Sequence, residues 1–225
     1  MAAWPEPVRP GIIIWIKRIL RSHRCHRVFP GTILALLVLI CAGWTKSWTS
    51  IQAAAEKIES IQADFVQEKH LPFLVKPLES TGRFYFKRPG SVRWEYVSPL
   101  KSILVSHQGN TRRLVEENGA WIEDVGVKMA GMQVVMTQIS QWMSGRFTDS
   151  TDFDARIADD GKVVLTPGNK ALSRMIRRIE LTLSDRPGVV DSVKVIEGDD
   201  AYTVWAFKNI QTNKPFKPTL FTVVP

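Results

Sequence analysis

The side chains that could carry acid–base or nucleophilic chemistry are few. After residue 44 the chain has only two histidines, His70 and His107, and both cysteines, Cys25 and Cys41, precede that point. A thiolate zinc site, a cysteine nucleophile and an internal disulfide are therefore excluded from this part of the chain. A hydrolase would pair one histidine with a serine and an acid, but the G-x-S-x-G turn that exposes such a serine is absent. The sequence predicts a protein that is not an enzyme.

Two pairs of adjacent carboxylates are the remaining candidates for a metal site. Asp159 and Asp160 precede a glycine between two short apolar runs, and Asp199 and Asp200 follow a glycine later in the chain. Aspartates at such turns are normally solvated, because their side chains stabilise the turn itself. No third ligand accompanies either pair at a spacing suited to calcium or magnesium. We expect no metal ion and no cofactor.

The positive charge of the chain is concentrated near its beginning. Of the formal net charge of +8, the first 44 residues contribute +5, from six basic residues against Glu6 alone, which leaves +3 for the rest. A nucleic-acid-binding domain would need a basic surface of its own. We therefore expect no nucleic-acid partner.

The first 44 residues have the pattern of an export signal. Residues 31–43, GTILALLVLICAG, form an uncharged apolar run behind a basic flank. The run is shorter than the roughly 20 residues of a membrane-spanning helix. We assign residues 1–44 to a basic region with a signal peptide or signal anchor, and residues 45–225 to an exported domain. Cleavage near Gly43 and a retained inner-membrane anchor both remain open.

The elements that must position any site begin with a helix. Residues 51–68, IQAAAEKIESIQADFVQE, place apolar side chains at helical spacing, which predicts an amphipathic helix of four to five turns. After Pro77 the apolar period changes to two, and turn residues separate short runs. The predicted strands are 82–86, 91–96, 103–107, 112–116, 120–125, 153–158, 162–166, 178–183, 190–197, 201–211 and 218–223. Because helical crossovers between them are missing, the fold class is α+β with ten to eleven antiparallel strands.

A second helix interrupts the strands. Residues 132–145, MQVVMTQISQWMSG, carry apolar side chains at helical spacing. The face consists of Met132, Val135, Met136, Ile139, Trp142 and Met143, with Met129 nearby. Methionine is flexible and polarisable, so such a face adapts to irregular ligands, although ordinary core packing produces the same stripe.

One hairpin carries a resemblance to a known family. Residues 82–99, GRFYFKRPGSVRWEYVSP, contain an opening Gly82, the Lys87-Arg88-Pro89 turn, Trp94 and a closing Pro99. This hairpin resembles that of the LolA-type outer-membrane lipoprotein carriers. The segment Asp64 to Gln67 and the tail with residues 209–213 and Phe221 are similar to the same family, so the resemblance runs from about residue 51 to residue 225.

The resemblance implies a fold and a function. The fold would be an incomplete antiparallel β-barrel with a helical lid, and acyl chains of a lipoprotein would lie between the sheet and the lid. The function would be that of a monomeric periplasmic carrier, which takes its cargo from an inner-membrane ABC-type release complex and delivers it to an outer-membrane acceptor. In the family an arginine at the hairpin turn helps to hold the lid shut, and Arg88 occupies the matching position.

The residues predicted to form the acyl cavity and its lid follow from strand alternation, from the second helix and, for Arg88, from the resemblance. Side chains two residues apart share a strand face, so Phe84 and Phe86 point the same way. The same holds for Val92, Trp94 and Tyr96, and for Trp205 and Phe207 later in the chain. The full set is Arg88, Phe84, Phe86, Val92, Trp94, Tyr96, Met129, Met132, Met136, Ile139, Trp142 and Met143.

Three alternatives stay open at the level of sequence. The barrel interior is either hollow or filled by the protein's own side chains. The cargo is a lipoprotein, a glycolipid or another acylated molecule. A membrane-anchored sensor or receptor domain for lipid or lipoprotein would use the same fold without shuttling.

Overall fold

The computed structural model of the chain describes residues 47–124 and 129–223, and within the second helix it describes the side chains from Met136 onward. The predicted export signal and the side chains of Met129 and Met132 lie outside the described part. No helix in the described ranges is long and apolar enough to span a membrane.

Eleven strands and three α-helices make up the described chain. In chain order they are α1 (Trp48–Glu56), β1 (Ser60–His70), β2 (Leu78–Lys87), β3 (Ser91–Ser98), β4 (Ser102–His107), β5 (Asn110–Glu117), β6 (Ala120–Glu123), α2 (Met129–Met143), β7 (Phe153–Ile157), β8 (Val163–Pro167), α3 (Lys170–Ser173), β9 (Arg178–Leu183), β10 (Val190–Ile196) and β11 (Tyr202–Thr212). A short 3-10 helix, Pro218–Phe221, follows β11.

All eleven strands belong to one antiparallel sheet. Its order is β6-β5-β4-β3-β2-β1-β11-β10-β9-β8-β7, so every pair except β1 with β11 joins strands that are consecutive in sequence. Within the described residues β6 and β7 are the two edges and do not pair with each other. An antiparallel sheet that does not close, covered by a few helices, confirms the predicted α+β fold with an incomplete barrel.

The predicted helix over residues 51–68 is wrong in its second half. The helix ends at Glu56, and Ser60–His70 form the central strand β1. Ile61, Ala63 and Phe65 are buried at alternate positions of that strand, and its backbone pairs with β2 on one side and β11 on the other. Apolar residues in this segment fit both periods, and the two ladders of backbone hydrogen bonds decide for the strand.

The predicted last strand, residues 218–223, is also wrong. Pro218 lacks an N–H for a ladder and stands at the start of a 3-10 turn. Phe221 from this turn is buried against Ile103 and Val105, on the side of the sheet that faces away from α2. The tail therefore covers the outer surface of the sheet instead of extending it.

The inner surface of the sheet holds an aromatic cluster around Trp94. Its ring centroid lies 5.1 Å from those of Phe65 and Phe84 and 6.0 Å from that of Phe207. The cluster depends on Gly82, because a Cβ there would overlap the ring of Phe65 and the carbonyl oxygen of Glu95. The opening glycine of the hairpin thus makes room for an aromatic ring from the neighbouring strand.

Helix α1 lies at one end of the sheet, which we call the lower end. Ser47 caps it by accepting a hydrogen bond from the backbone N–H of Ser50. Gly188, in the turn between β9 and β10, approaches so closely that a Cβ would lie 2.8 Å from backbone atoms of Ala54. The hairpin turn at Arg88 is at the same end.

The opposite end, called the upper end, carries the connections from β1 to β2, β3 to β4, β5 to β6, β8 to β9 and β10 to β11. The strand registers place them together, since His70 pairs with Tyr202, which also pairs with Ile196, and Ile196 pairs with Arg178.

Candidate functional site

A cavity of about 560 Å³ lies between the inner surface of the sheet and helix α2. It is nearest the upper end, because its strand residues come from the upper parts of their strands. Apolar and aromatic side chains form most of its wall. The strands contribute Trp94, Tyr96, Leu104, Ile179, Val193, Val195, Trp205 and Phe207, and helix α2 contributes Met136, Ile139, Trp142 and Met143.

The lower half of the same surface is filled. Phe86 and Val92 are completely buried there, and Phe84 is nearly so. The gap that remains beside Phe84, under Met143, has a volume of only about 10 Å³. The interior is thus hollow at its upper end and close-packed at its lower end, where side chains of the protein replace any ligand.

The structure therefore separates the predicted residues into groups. Six of them line the cavity: Trp94, Tyr96, Met136, Ile139, Trp142 and Met143. Phe84, Phe86 and Val92 lie in the packed lower half, and Arg88 lies at the lower end beside α1. Ligand contact by any of these residues stays a prediction.

Sequence reasoning missed much of the opposite wall. Val193 and Val195 alternate along β10, and this short pattern could have placed them on one face. Leu172 and Ile176, in the connection between β8 and β9, also line the cavity. The helix that holds Leu172 is only four residues long, and Ile176 follows it, so no periodicity distinguishes this connection.

A short chain of polar groups crosses the apolar wall. The Tyr96 hydroxyl donates to Oε1 of Gln67 at 2.6 Å, and Nε1 of Trp205 donates to the Tyr96 oxygen at 3.4 Å. Burial raises the pKa of Tyr96 above its ordinary value of 10.0. Tyr96 is therefore an uncharged hydrogen-bonding group inside the cavity at physiological pH.

Two of the α2 residues that line the cavity hold a buried polar atom without a partner among the described residues. Oε1 of Gln138 and Nε1 of Trp142 are buried and make no hydrogen bond. Binding pockets commonly combine an apolar wall with a few polar groups that orient the ligand. The cavity has that composition through Gln67, Tyr96 and Trp205, whereas the unpartnered atoms of Gln138 and Trp142 are buried with almost no accessible surface.

Arg88 is hydrogen-bonded to the end of α1. Its Nη2 donates to the carbonyl oxygen of Ala55 at 2.7 Å, and its Nε donates to that of Ile58 at 2.8 Å. The carbonyls at a helix C-terminus lack intrahelical partners and carry partial negative charge, so a guanidinium is a favourable partner. This side chain fastens the hairpin turn to α1.

The groups suited to catalysis are elsewhere. His107 Nδ1 lies 2.7 Å from Oγ of Ser91, and its ring stacks on Phe221 on the outer surface. His70 stacks on Tyr202 at the upper end. Neither histidine lines the cavity, and the described residues contain no group of three metal-ligating side chains.

Comparison with known proteins identifies the family. Residues 56–224 match the family described as outer membrane lipoprotein carrier protein LolA. The chain belongs to the LolA family. The match covers the whole described sheet and confirms the resemblance drawn from the hairpin. LolA-family proteins are non-enzymatic binding proteins, which confirms the prediction that this chain is not an enzyme.

Individual relatives are distant. An outer-membrane lipoprotein carrier protein of Photorhabdus laumondii is 24% identical over 178 residues, which cover 76% of this chain and 81% of the relative. The protein of the same name from Vibrio cholerae is 27% identical over 157 residues, covering 70% and 75%. Among solved structures, an uncharacterized conserved protein of Thermus thermophilus superposes with a TM-score of 0.48 at 11% identity, covering 80% of this chain and 95% of that one.

Proposed function

We propose that this protein is a periplasmic carrier that shelters the acyl chains of a lipoprotein in the cavity between the sheet and α2. The observation that carries the proposal is the hollow of about 560 Å³ with a largely apolar wall. A volume of this size falls within the range of pockets that hold small ligands. Membership of a lipoprotein carrier family supports this kind of cargo.

The energetic reason for such a carrier is the insolubility of acyl chains. Each methylene that leaves water contributes about 0.8 kcal/mol, so sheltering ten of them contributes about 8 kcal/mol. A single acyl chain in water would otherwise return to a membrane or aggregate. Trp94, Trp205 and Phe207 provide the broad apolar surface that the chain would lie against.

The proposed route runs from the inner to the outer membrane. The export signal predicted in residues 1–44 would bring the domain to the periplasm. An inner-membrane ABC-type complex would release the lipoprotein to the carrier, and an outer-membrane acceptor would receive it. The carrier acts as a monomer, with α1 and α2 as the lid over the sheet.

The lid must also open, and Arg88 is placed to control it. One hydrogen bond from its guanidinium to Ala55 in α1 and a second to Ile58, just after α1, favour the closed state. They are side-chain bonds at a half-buried position, so they can break without unfolding the sheet. We assign Arg88 to fastening the lid and not to contacting the acyl chain.

A substitution that fills the cavity tests this function. Val193 lines the cavity, and a tryptophan in its place would occupy part of the hollow. Displacing only two methylenes of a bound chain would weaken binding about tenfold. We expect Val193→Trp to bind a fluorescent fatty-acyl probe at least about tenfold more weakly than the wild-type protein, as measured by fluorescence titration.

The matched control is Val97→Trp, the same chemical change at an exposed position of β3 that does not line the cavity. It should bind the probe as the wild type does, and urea unfolding should confirm that both variants are folded. Equal probe affinity for the two folded variants would contradict the proposal. Mass spectrometry of the exported protein would identify the bound lipid and the mature N-terminus. A retained N-terminal segment would favour an anchored receptor over a shuttle.

A further inference from the structure

Exposed apolar side chains are concentrated at the upper end of the sheet. Nine large hydrophobic residues are exposed in the described part of the chain. Six of them lie in the upper connections or at the first residue of the strand that follows: Phe73, Leu74, Val75, Leu78, Leu100 and Met175. We call these six the apolar rim. Contiguous exposed apolar surface on a folded protein usually marks a contact with a membrane or another molecule.

The most prominent part of the rim is the tip between β1 and β2. Residues 71–77 read LPFLVKP, and the side chain of Phe73 is 79% exposed while that of Val75 is fully exposed. The only backbone hydrogen bond within this tip runs from the N–H of Leu74 to the carbonyl of Leu71. The tip therefore presents apolar side chains to the surroundings instead of folding them onto the sheet.

The rim borders the mouth of the cavity. Met175 stands between Leu172 and Ile176, whose side chains line the cavity. On the other side, Leu100 lies in a groove of about 850 Å³ that shares Tyr96 and Ser102 with the cavity. The groove therefore leads from Leu100 to the cavity, and charged side chains such as Arg113 and Glu116 line it together with Val115 and Ile122.

We propose that the apolar rim is a bilayer-contact surface, which enters the interfacial region of a membrane and sets the cavity mouth against the lipid. The proposal rests on the proposed carrier function, since an acyl chain could then pass between the membrane and the cavity without crossing water. The free energy of exposing the chain to water would be avoided, and it is large because every exposed methylene is unfavourable. Phe73, Leu74 and Val75 are the residues that enter the membrane.

Shape and charge favour a bilayer over a protein partner. A tip with apolar side chains exposed around it has no flat face for a complementary protein surface, but it suits insertion into a lipid interface. Residues 69–78 contain no acidic residue, and the tip carries Lys76, whose long side chain can reach the headgroups. Elsewhere at this end Lys69, Lys101 and Arg177 form ion pairs with carboxylates. Binding should therefore depend mainly on apolar insertion and little on anionic lipid.

The test uses a local probe, because residues 1–44 could bind vesicles by themselves. In the full chain with Cys25→Ser and Cys41→Ser, the variant Val75→Cys is labelled with an environment-sensitive fluorophore. The matched control is Asp185→Cys, at an exposed turn of the lower end. With phosphatidylcholine vesicles, with and without phosphatidylglycerol, we expect a blue shift and quenching by spin-labelled lipid at position 75 and neither at position 185.

A second variant links insertion to cargo transfer. Phe73→Ser with Val75→Ser should weaken vesicle binding of the rim about tenfold or more and should slow acyl-probe transfer from vesicles to the protein. Equilibrium binding of the probe in solution should stay unchanged, because neither residue lines the cavity.

The outcomes separate the two proposals. A fluorophore at position 75 that stays in water on both kinds of vesicle overturns the bilayer contact, even if the acyl probe binds normally. That result would indicate a protein partner for the rim. Insertion at position 75 without any acyl-probe binding supports the bilayer contact and contradicts the carrier function.

Discussion

Replacing Arg88 with leucine tests whether this side chain fastens α1 to the hairpin. The change removes the hydrogen bonds from Nε and Nη2 to the carbonyls of Ile58 and Ala55 but leaves the backbone N–H of Arg88 bonded to Glu59. A hydrogen bond from a charged donor contributes about 1.5–3 kcal/mol when it is buried. Because Arg88 is only half-buried, water replaces part of each bond, and we expect a total loss of about 2–3 kcal/mol.

A loss of this size should appear first as local opening. At 1.4 kcal/mol per factor of ten, the population of undocked α1 should rise about thirtyfold to a hundredfold, while the sheet keeps its stability. Native-state hydrogen exchange measures this directly. Amides of α1 should lose protection in Arg88→Leu, amides of β1 and β2 should not, and transfer of acyl cargo to acceptor membranes should change in rate.

The control is Lys87→Leu, which removes a charge from the neighbouring exposed position. It should leave the exchange of α1 amides as in the wild type. Unchanged protection of α1 in Arg88→Leu would refute the reasoning, because it would mean that the two hydrogen bonds contribute nothing to docking. If protection of α1 is lost but the transfer kinetics are unchanged, Arg88 fastens α1 but does not control the release of cargo.

Two further predictions concern the inner surface. Gly82→Ala should destabilise the protein by about 3 kcal/mol in urea unfolding, because the new Cβ meets the ring of Phe65 and the carbonyl of Glu95. The control Gly198→Ala, whose new Cβ would have its nearest neighbour at 3.5 Å, should change stability by less than about 1 kcal/mol. Equal losses of stability in the two variants would contradict this prediction. Burial raises the pKa of Tyr96 in the folded state above the ordinary value of 10.0, so the hydroxyl ionises more readily in the unfolded chain. The contribution of Tyr96 to the free energy of unfolding is therefore present below pH 10.0 and is lost as the pH rises further. Above that pH the free energy of unfolding of Tyr96→Phe should therefore fall less steeply than that of the wild type. Parallel curves of stability against pH for the two proteins would show that Tyr96 is not desolvated.

The order of the strands could be predicted from sequence because local signals agree with the fold. Turn residues separate the runs of alternating apolar residues, and consecutive strands pair almost throughout the sheet. The pairing of β1 with β11 is the exception. It joins distant parts of the chain, and it is the interaction that turns residues 60–70 from a plausible helix into the central strand.

The site was predictable only in part, for a reason of geometry. Alternation correctly placed Val92, Trp94 and Tyr96 on one face, but it carries no information on where along β3 the interior changes from filled to hollow. That level is set by side chains from distant segments, among them Phe147 and Val189, which pack into the same core as Phe86. Conversely, Leu172 and Ile176 reach the cavity from a connection that has no recognisable period.

The gap between β6 and β7 has a consequence for the range of passengers. In a closed barrel the number and stagger of the strands set the internal diameter. Here the two outermost strands, four and five residues long, share no hydrogen bonds, so the halves of the sheet can splay apart while every ladder stays intact. The width of the interior is then adjustable, and the proposed carrier could accept acyl chains of different bulk.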